Sequence, residues 1–164
     1  MKIKTFQNPT KGEVKWEDIG MEIRDFIHTD PEGDYQLIIG SDSRSKNTET
    51  ENFIDLVSAI VIHRRGRGAR YFFYKERVDN IYSLKEKLYE ETVASLDLAR
   101  NLIEVLKEDL NGYYEELEIH IDVGENGPSR EVITELVGMV VGNGFKAKTK
   151  PSAYAASSVA DRYT

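Results

Sequence analysis

Six residues, Tyr35-Gln36-Leu37-Ile38-Ile39-Gly40, make a nearly continuous apolar run between turn-forming residues on both sides. A run of this length is what a strand buried on both faces needs, and such burial requires helices above and below the sheet. The fold class expected is therefore α/β. Phe53 to His63 and Ala69 to Glu76 are β-branched and aromatic runs joined by Arg64-Arg65-Gly66-Arg67-Gly68, the pattern of an antiparallel hairpin. From about Tyr82 to Asp109 the period becomes helical, with Leu84, Leu88, Ser95, Leu98, Leu102 and Val105 recurring until Asn111-Gly112. Leu117, Ile119, Ile121 and Val123 then alternate with Glu118, His120 and Asp122, a strand that stops at Gly124-Glu125-Asn126-Gly127. Pro128 and Ser129 open a second helix closed by Gly142-Asn143-Gly144; Phe145 to Thr149 is a last strand, and Ala153 to Tyr163 a small-residue helix.

Ahead of the apolar run, residues 1–15 read as an arm. Ile19, Ile23, Phe26 and Ile27 mark an amphipathic leader helix that stops near Pro31. The expectation is a mixed five-stranded sheet with helices on both faces, in the order strand–strand–strand–helix–strand–helix–strand–helix. Residues 1–33 are arm and leader helix, residues 34–164 the body, and the 164-residue chain one domain. Charged residues at 31% beside 40% hydrophobic ones exclude a disordered chain. The absence of Cys excludes disulfides, thiolate-bound zinc, iron–sulfur clusters and thiol catalysis. No apolar run approaches the roughly eighteen residues of a membrane span, and Met1 to Lys15 is polar, so a cytoplasmic protein without a membrane partner is expected. A net charge of −7 leaves nucleic acid only local basic patches to bind.

Four acidic residues stand apart. Asp42 follows the apolar strand and Asp122 ends the later alternating one; if those strands are adjacent and parallel, both carboxylates emerge at the carboxyl edge where open α/β sheets place ligands. Positions 84, 88, 91, 95, 98 and 102 form one helical stripe of Leu and Ser, except for Glu91, a core-facing carboxylate that is costly unless paired or metal-bound. Asp161, on the final helix among Val159, Ala160 and Tyr163, is the fourth. Hard oxygen ligands without Cys favour Mg²⁺ or Mn²⁺. Two such ions roughly 3.5–4 Å apart are suited to phosphodiester hydrolysis. Each residue also has an ordinary reading: Asp42 in a turn, Glu91 beside a Lys or Arg, Asp122 on loop amides, Asp161 in solvent.

The order of elements, with Asp42 in Ile38-Ile39-Gly40-Ser41-Asp42-Ser43, resembles the ribonuclease H-like fold of ribonuclease H, junction resolvases and retroviral-type integrases over about residues 34–164. The resemblance implies that Asp42, Glu91, Asp122 and Asp161 are both catalytic residues and metal ligands, with Mg²⁺ or Mn²⁺ as cofactor. Four segments are closer still to a bacterial family of YkuK type, of unknown function: Ile39 to Ser43, Tyr89 to Thr92, His120 to Gly124 and Ala156 to Thr164. In place of the glycine-rich continuation seen in many ribonucleases H, Ser43 to Thr48 is expected to form a polar loop.

Arg64, Arg65, Arg67 and Arg70 crowd one hairpin, and Lys146, Lys148 and Lys150 alternate along the last strand. Both patterns suit contacts to a nucleic-acid backbone, and both are also ordinary protection of a sheet edge. His120 shares strand parity with Asp122; it reads as a metal ligand or proton shuttle, or else as a satisfied core histidine. Ser157 and Ser158 read as helix caps, and Tyr71 to Tyr74 as strand core rather than base-stacking rings. The function expected is a divalent-metal-dependent nuclease. The alternative is a non-catalytic ribonuclease H-like module binding nucleic acid or protein. An actin-like phosphotransferase would need a second domain and glycine-rich phosphate loops.

Overall fold

The segment read as an arm holds two strands, β1 (Thr5–Asn8) and β2 (Gly12–Lys15), in a computed structural model that describes residues 4–107, 117–124 and 127–163. The Asn8 carboxamide closes their turn, its oxygen accepting the Thr10 and Lys11 N–H groups at 2.9 Å while its nitrogen donates to the Tyr71 carbonyl at 2.9 Å. Phe6 is fully buried between Trp16 and Tyr74, with ring centroids 5.5 and 5.0 Å away. A single turn of 3₁₀ helix, Trp16–Asp18, leads into α1 (Ile19–His28).

The apolar run opens β3 (Tyr35–Asn47), followed by β4 (Asn52–Arg64) and β5 (Gly68–Asp79). The strand expected to stop at Gly40 continues for seven polar residues, because β4 pairs with it without a break from Tyr35↔Arg64 to Asn47↔Asn52. Asp42 therefore lies inside a strand, and the polar loop expected over Ser43 to Thr48 is the far half of β3. Next come α2 (Leu84–Leu106), β6 (Glu118–His120), α3 (Arg130–Gly142), β7 (Lys146–Lys148) and α4 (Ala155–Tyr163). The expected stop at Asn111-Gly112, Tyr113-Tyr114, Glu125-Asn126, Thr164 and the Ser157 side chain lie outside the described residues.

The sheet has seven strands, not five, in the order β2-β1-β5-β4-β3-β6-β7. The two additional ones are the hairpin of the supposed arm, which pairs antiparallel with the edge of β5 at Gln7↔Phe73. It is mixed: β3, β4 and β5 are antiparallel, whereas β6 runs parallel to β3 and β7 parallel to β6. Helices α1, α2 and α3 cover one face over Leu37, Ile39, Ile60, Phe72 and Ile119. On the other, Val159, Ala160 and Tyr163 of α4 cover Ile38, Val57, Ala59, Val61 and Phe73.

Helix α2 starts at a capping box: Ser83 Oγ accepts the Glu86 N–H and Glu86 Oε2 accepts the Ser83 N–H, both at 3.1 Å. Replacing Ser83 by Ala should cost about 1 kcal/mol, or about 2–4 °C in Tm for a chain of this size. A denaturation curve unchanged from wild type would show that this cap does not hold the helix start.

Candidate functional site

A difference in strand length opens the site. β6 pairs with β3 only as far as Gly40↔His120, so Asp42 lies two residues past the last paired position. The chain after His120 leans instead toward β7, the Ile121 N–H donating to the Lys148 carbonyl at 2.8 Å and the Lys150 N–H to the Val123 carbonyl at 2.9 Å. Asp122 is thereby held beside the uncovered edge of β3. Strand alternation turns Asp42 to the same face as Ile38, where its cross-strand neighbour Val57 packs on Ala160, the residue before Asp161. Ser41 and Ser43 face α2. Glu91 approaches from that side, accepting a hydrogen bond from Ser43 Oγ at 2.7 Å. Asp42, Glu91 and Asp122 are thus within electrostatic reach of one another, and Asp161 within reach of Asp42.

Their charges interact. Glu91 is only 5% exposed. Burial, against the opposing pull of the Ser43 hydroxyl and the Lys87 ammonium, raises its pKa to about 7, with further upward pressure from Asp42 and Asp122. Asp42 is also raised, first by burial; the Ser43 N–H and Lys87 act against this, and Asp122 and Asp161 act with it. Two lysines enter the cluster: Lys87 Nζ lies 3.7 Å from Glu91 Oε1, and Lys150 Nζ 2.7 Å from Asp122 Oδ1. The second contact is an ion pair without hydrogen-bond alignment, which leaves that buried oxygen with acceptor capacity.

Three serines lie beneath. The Ser41 hydroxyl is 2.8 Å from both Ser58 Oγ and Ser95 Oγ, a buried network joining β3, β4 and α2 under the carboxylates. The helical stripe placed Ser95 on the face it occupies, whereas Ser41 lies in the part of β3 beyond the Gly40 at which the strand was expected to stop. His120, 2% exposed, points its Nε2 at Glu118 Oε2, 3.0 Å away, and accepts the Tyr154 N–H on Nδ1 at 3.3 Å. Those partners assign a neutral ring with the proton on Nε2, in keeping with burial holding its pKa below the usual value. Both nitrogens are engaged, which is the condition of a satisfied core histidine.

A ribonuclease H-like family model matches residues 18–164. The chain belongs to the ribonuclease H-like family. It is also 30% identical to "Uncharacterized protein YkuK" of Bacillus subtilis (strain 168), over 97% of this chain and 96% of that protein, so the YkuK-type resemblance of the four segments extends along nearly the whole length. No solved structure matches the chain significantly. The ribonuclease H-like match takes in α1, set apart as a leader in the sequence reading, and leaves out the β1–β2 hairpin.

In this ribonuclease H-like frame the basic candidates fall elsewhere. Arg64 is paired in register with Tyr35, seven residues before Asp42, or about 23 Å away at ~3.3 Å per residue. Arg67 and Arg65 meet Asp30 and Asp34, each at 3.0 Å, and Arg64 and Arg70 lie over the Phe26 ring. Lys146 and Lys148 are exposed on the outer strand opposite Glu118 and His120, and only Lys150, beyond the strand, reaches a site carboxylate. Arg44 and Lys46, unremarked in the sequence, are exposed on the same face as Asp42 and make no ion pair among the described residues. Tyr71 and Phe73 pack against Tyr163, while Phe72 and Tyr74 lie in the opposite core.

The donor set is all oxygen, anionic and mutually repelling, which fits a hard divalent cation. Among the described residues no three Asp, Glu or His side chains are gathered closely enough to hold one as they stand. Ser43, Lys87 and Lys150 engage the carboxylates instead, so an ion would have to compete for them.

Proposed function

We propose that this ribonuclease H-like protein hydrolyses phosphodiester bonds of nucleic acid with the help of a divalent cation. One observation carries the reading: Glu91 is buried beside Asp42 and Asp122 against their repulsion, an arrangement costly to the fold that a bound cation relieves. A bound Mg²⁺ or Mn²⁺ would supply Lewis-acid polarisation of a phosphoryl oxygen and an acidified water. Asp42 from β3, Asp122 from the segment after β6 and Glu91 from α2 would hold the ion, and Asp161 would orient the attacking water or a second ion. Ser43 fixes the Glu91 carboxylate, and Arg44 and Lys46 attract the phosphate backbone along the open edge of β3.

A screen of single- and double-stranded DNA, RNA and RNA–DNA hybrids with Mg²⁺ or Mn²⁺ tests this. The expected result is cleavage that falls on the order of 10²-fold or more in Asp42→Asn and in Asp122→Asn, because several kcal/mol of charge stabilisation is lost. Rates equal to wild type in both variants would refute the assignment.

The second reading, a binding module without catalysis, is favoured by the internal neutralisation of the carboxylates by Ser43, Lys87 and Lys150. It gives binding without cleavage, unaffected by Asp42→Asn and abolished by replacing Arg64, Arg65 and Arg67 together.

A further inference from the structure

On β3, Asp42, Arg44 and Lys46 alternate onto one face of the sheet, and Lys75 joins them from β5, in register with Asp42 through Val57. This is the face that α4 covers, but the apolar contacts of α4 end at Val57 and Phe73. Farther along the strands the same face carries charge. Arg44, Lys46 and Lys75 are exposed and make no ion pair among the described residues, although Asp55 stands opposite Arg44 on β4. Arg77, next to Lys75 on that face, is committed to Asp79 at 2.6 Å and Glu51 at 3.0 Å. In a chain of net charge −7 such unmatched cations stand out, since the arginines of the β4–β5 hairpin are matched by Asp30, Asp34 and Glu22.

Two further observations say what the face fits. Its rings are taken: Arg77 lies over Phe53, 3.7 Å from the centroid, and Tyr163 is stacked on Phe73 at 3.9 Å. A single strand would look for open rings on which to stack its bases. Lys75 stands two strand spacings, about 10 Å, across the sheet from the β3 line. That spread lies within the groove widths of a duplex, about 6–12 Å, so the two lines of cations can meet phosphates of both strands. We propose that the half of the β3–β4–β5 sheet beyond α4 docks the backbone of a double-stranded nucleic acid, held by Arg44, Lys46 and Lys75 without regard to sequence. This deepens the reading above and rests on its nucleic-acid part, not on a bound ion.

Fluorescence anisotropy tests it in EDTA, with a fluorescein-labelled, mixed-sequence DNA duplex of about two helical turns and with one of its strands alone, at low and at moderate KCl. Circular dichroism confirms that each variant is folded. Wild type is expected to bind the duplex more tightly than the strand. Arg44→Gln/Lys46→Gln/Lys75→Gln should weaken duplex binding on the order of 10-fold or more and make the slope of log K against log salt shallower by about 2–3. Arg64→Gln/Arg65→Gln/Arg67→Gln, with the same change in net charge, should stay within about twofold of wild type, because screened charges far from the face add little. Tighter binding of the single strand, equal binding by the first variant and wild type, or an equal loss in the second variant overturns this docking face and leaves the nucleic-acid reading standing. No binding of either probe by wild type overturns the face too; cleavage in the Mg²⁺ and Mn²⁺ screen then decides whether the hydrolytic reading falls with it.

Discussion

Replacing Glu91 by Gln should stabilise the metal-free protein by about 3 kcal/mol at pH 8 and hardly at all at pH 4. Burial raises the folded-state pKa of Glu91 from an ordinary 4.5 to about 7. A raised carboxyl pKa means that the folded chain holds the proton more tightly than the unfolded one. The stability this brings is complete below about pH 4.5 and is lost as pH rises through about 7. At about 1.4 kcal/mol per pKa unit, the loss approaches about 3 kcal/mol by pH 8. Gln keeps the volume and the oxygen that accepts from Ser43 Oγ, and it carries no charge to bury. Thermal unfolding in a chelating buffer should therefore show Glu91→Gln melting roughly 6–12 °C above wild type at pH 8, with the two curves converging in acid. A variant less stable than wild type at pH 8 would mean that the Lys87 and Ser43 contacts outweigh the burial of charge.

Phe6→Ala should destabilise the protein by about 3–5 kcal/mol, the usual cost of emptying a buried aromatic site. The residue lies in what reads in the sequence as an arm, yet its ring has no solvent exposure and packs edge-on against Tyr74. Urea denaturation gives the number directly. A loss below about 1 kcal/mol would show that the β1–β2 hairpin is peripheral to the fold's stability.

The contrast between those two positions shows which physical signals a sequence carries. Glu91 was legible because a 23-residue helix repeats its buried face many times, so one carboxylate on the Leu and Ser stripe stands out. Phe6 was not, since β1 and β2 have four residues each, too few for an alternation to register. Local polarity misled in the same way at Ser41 to Asn47, where the strand is sustained by main-chain pairing to β4 and not by apolar side chains. The arginine hairpin looked like an unpartnered basic patch because its acids, Asp30, Asp34 and Glu22, lie some thirty to fifty residues earlier in the chain. Lys150 was visible as one of three alternating lysines; its contact with Asp122 depends on how the chain leaves β6, which no spacing encodes. That the strands leading to Asp42 and Asp122 lie side by side was only a condition in the sequence; β6 meets it by pairing parallel to β3 although β4, β5 and α2 intervene along the chain.

Isothermal titration of Mn²⁺ into wild type and into Asp42→Asn/Asp122→Asn, both shown folded by circular dichroism, tests the divalent-cation centre most directly. The account predicts saturable binding to wild type that the double variant loses. Equal binding by both proteins, or none by wild type at millimolar Mn²⁺, would contradict it.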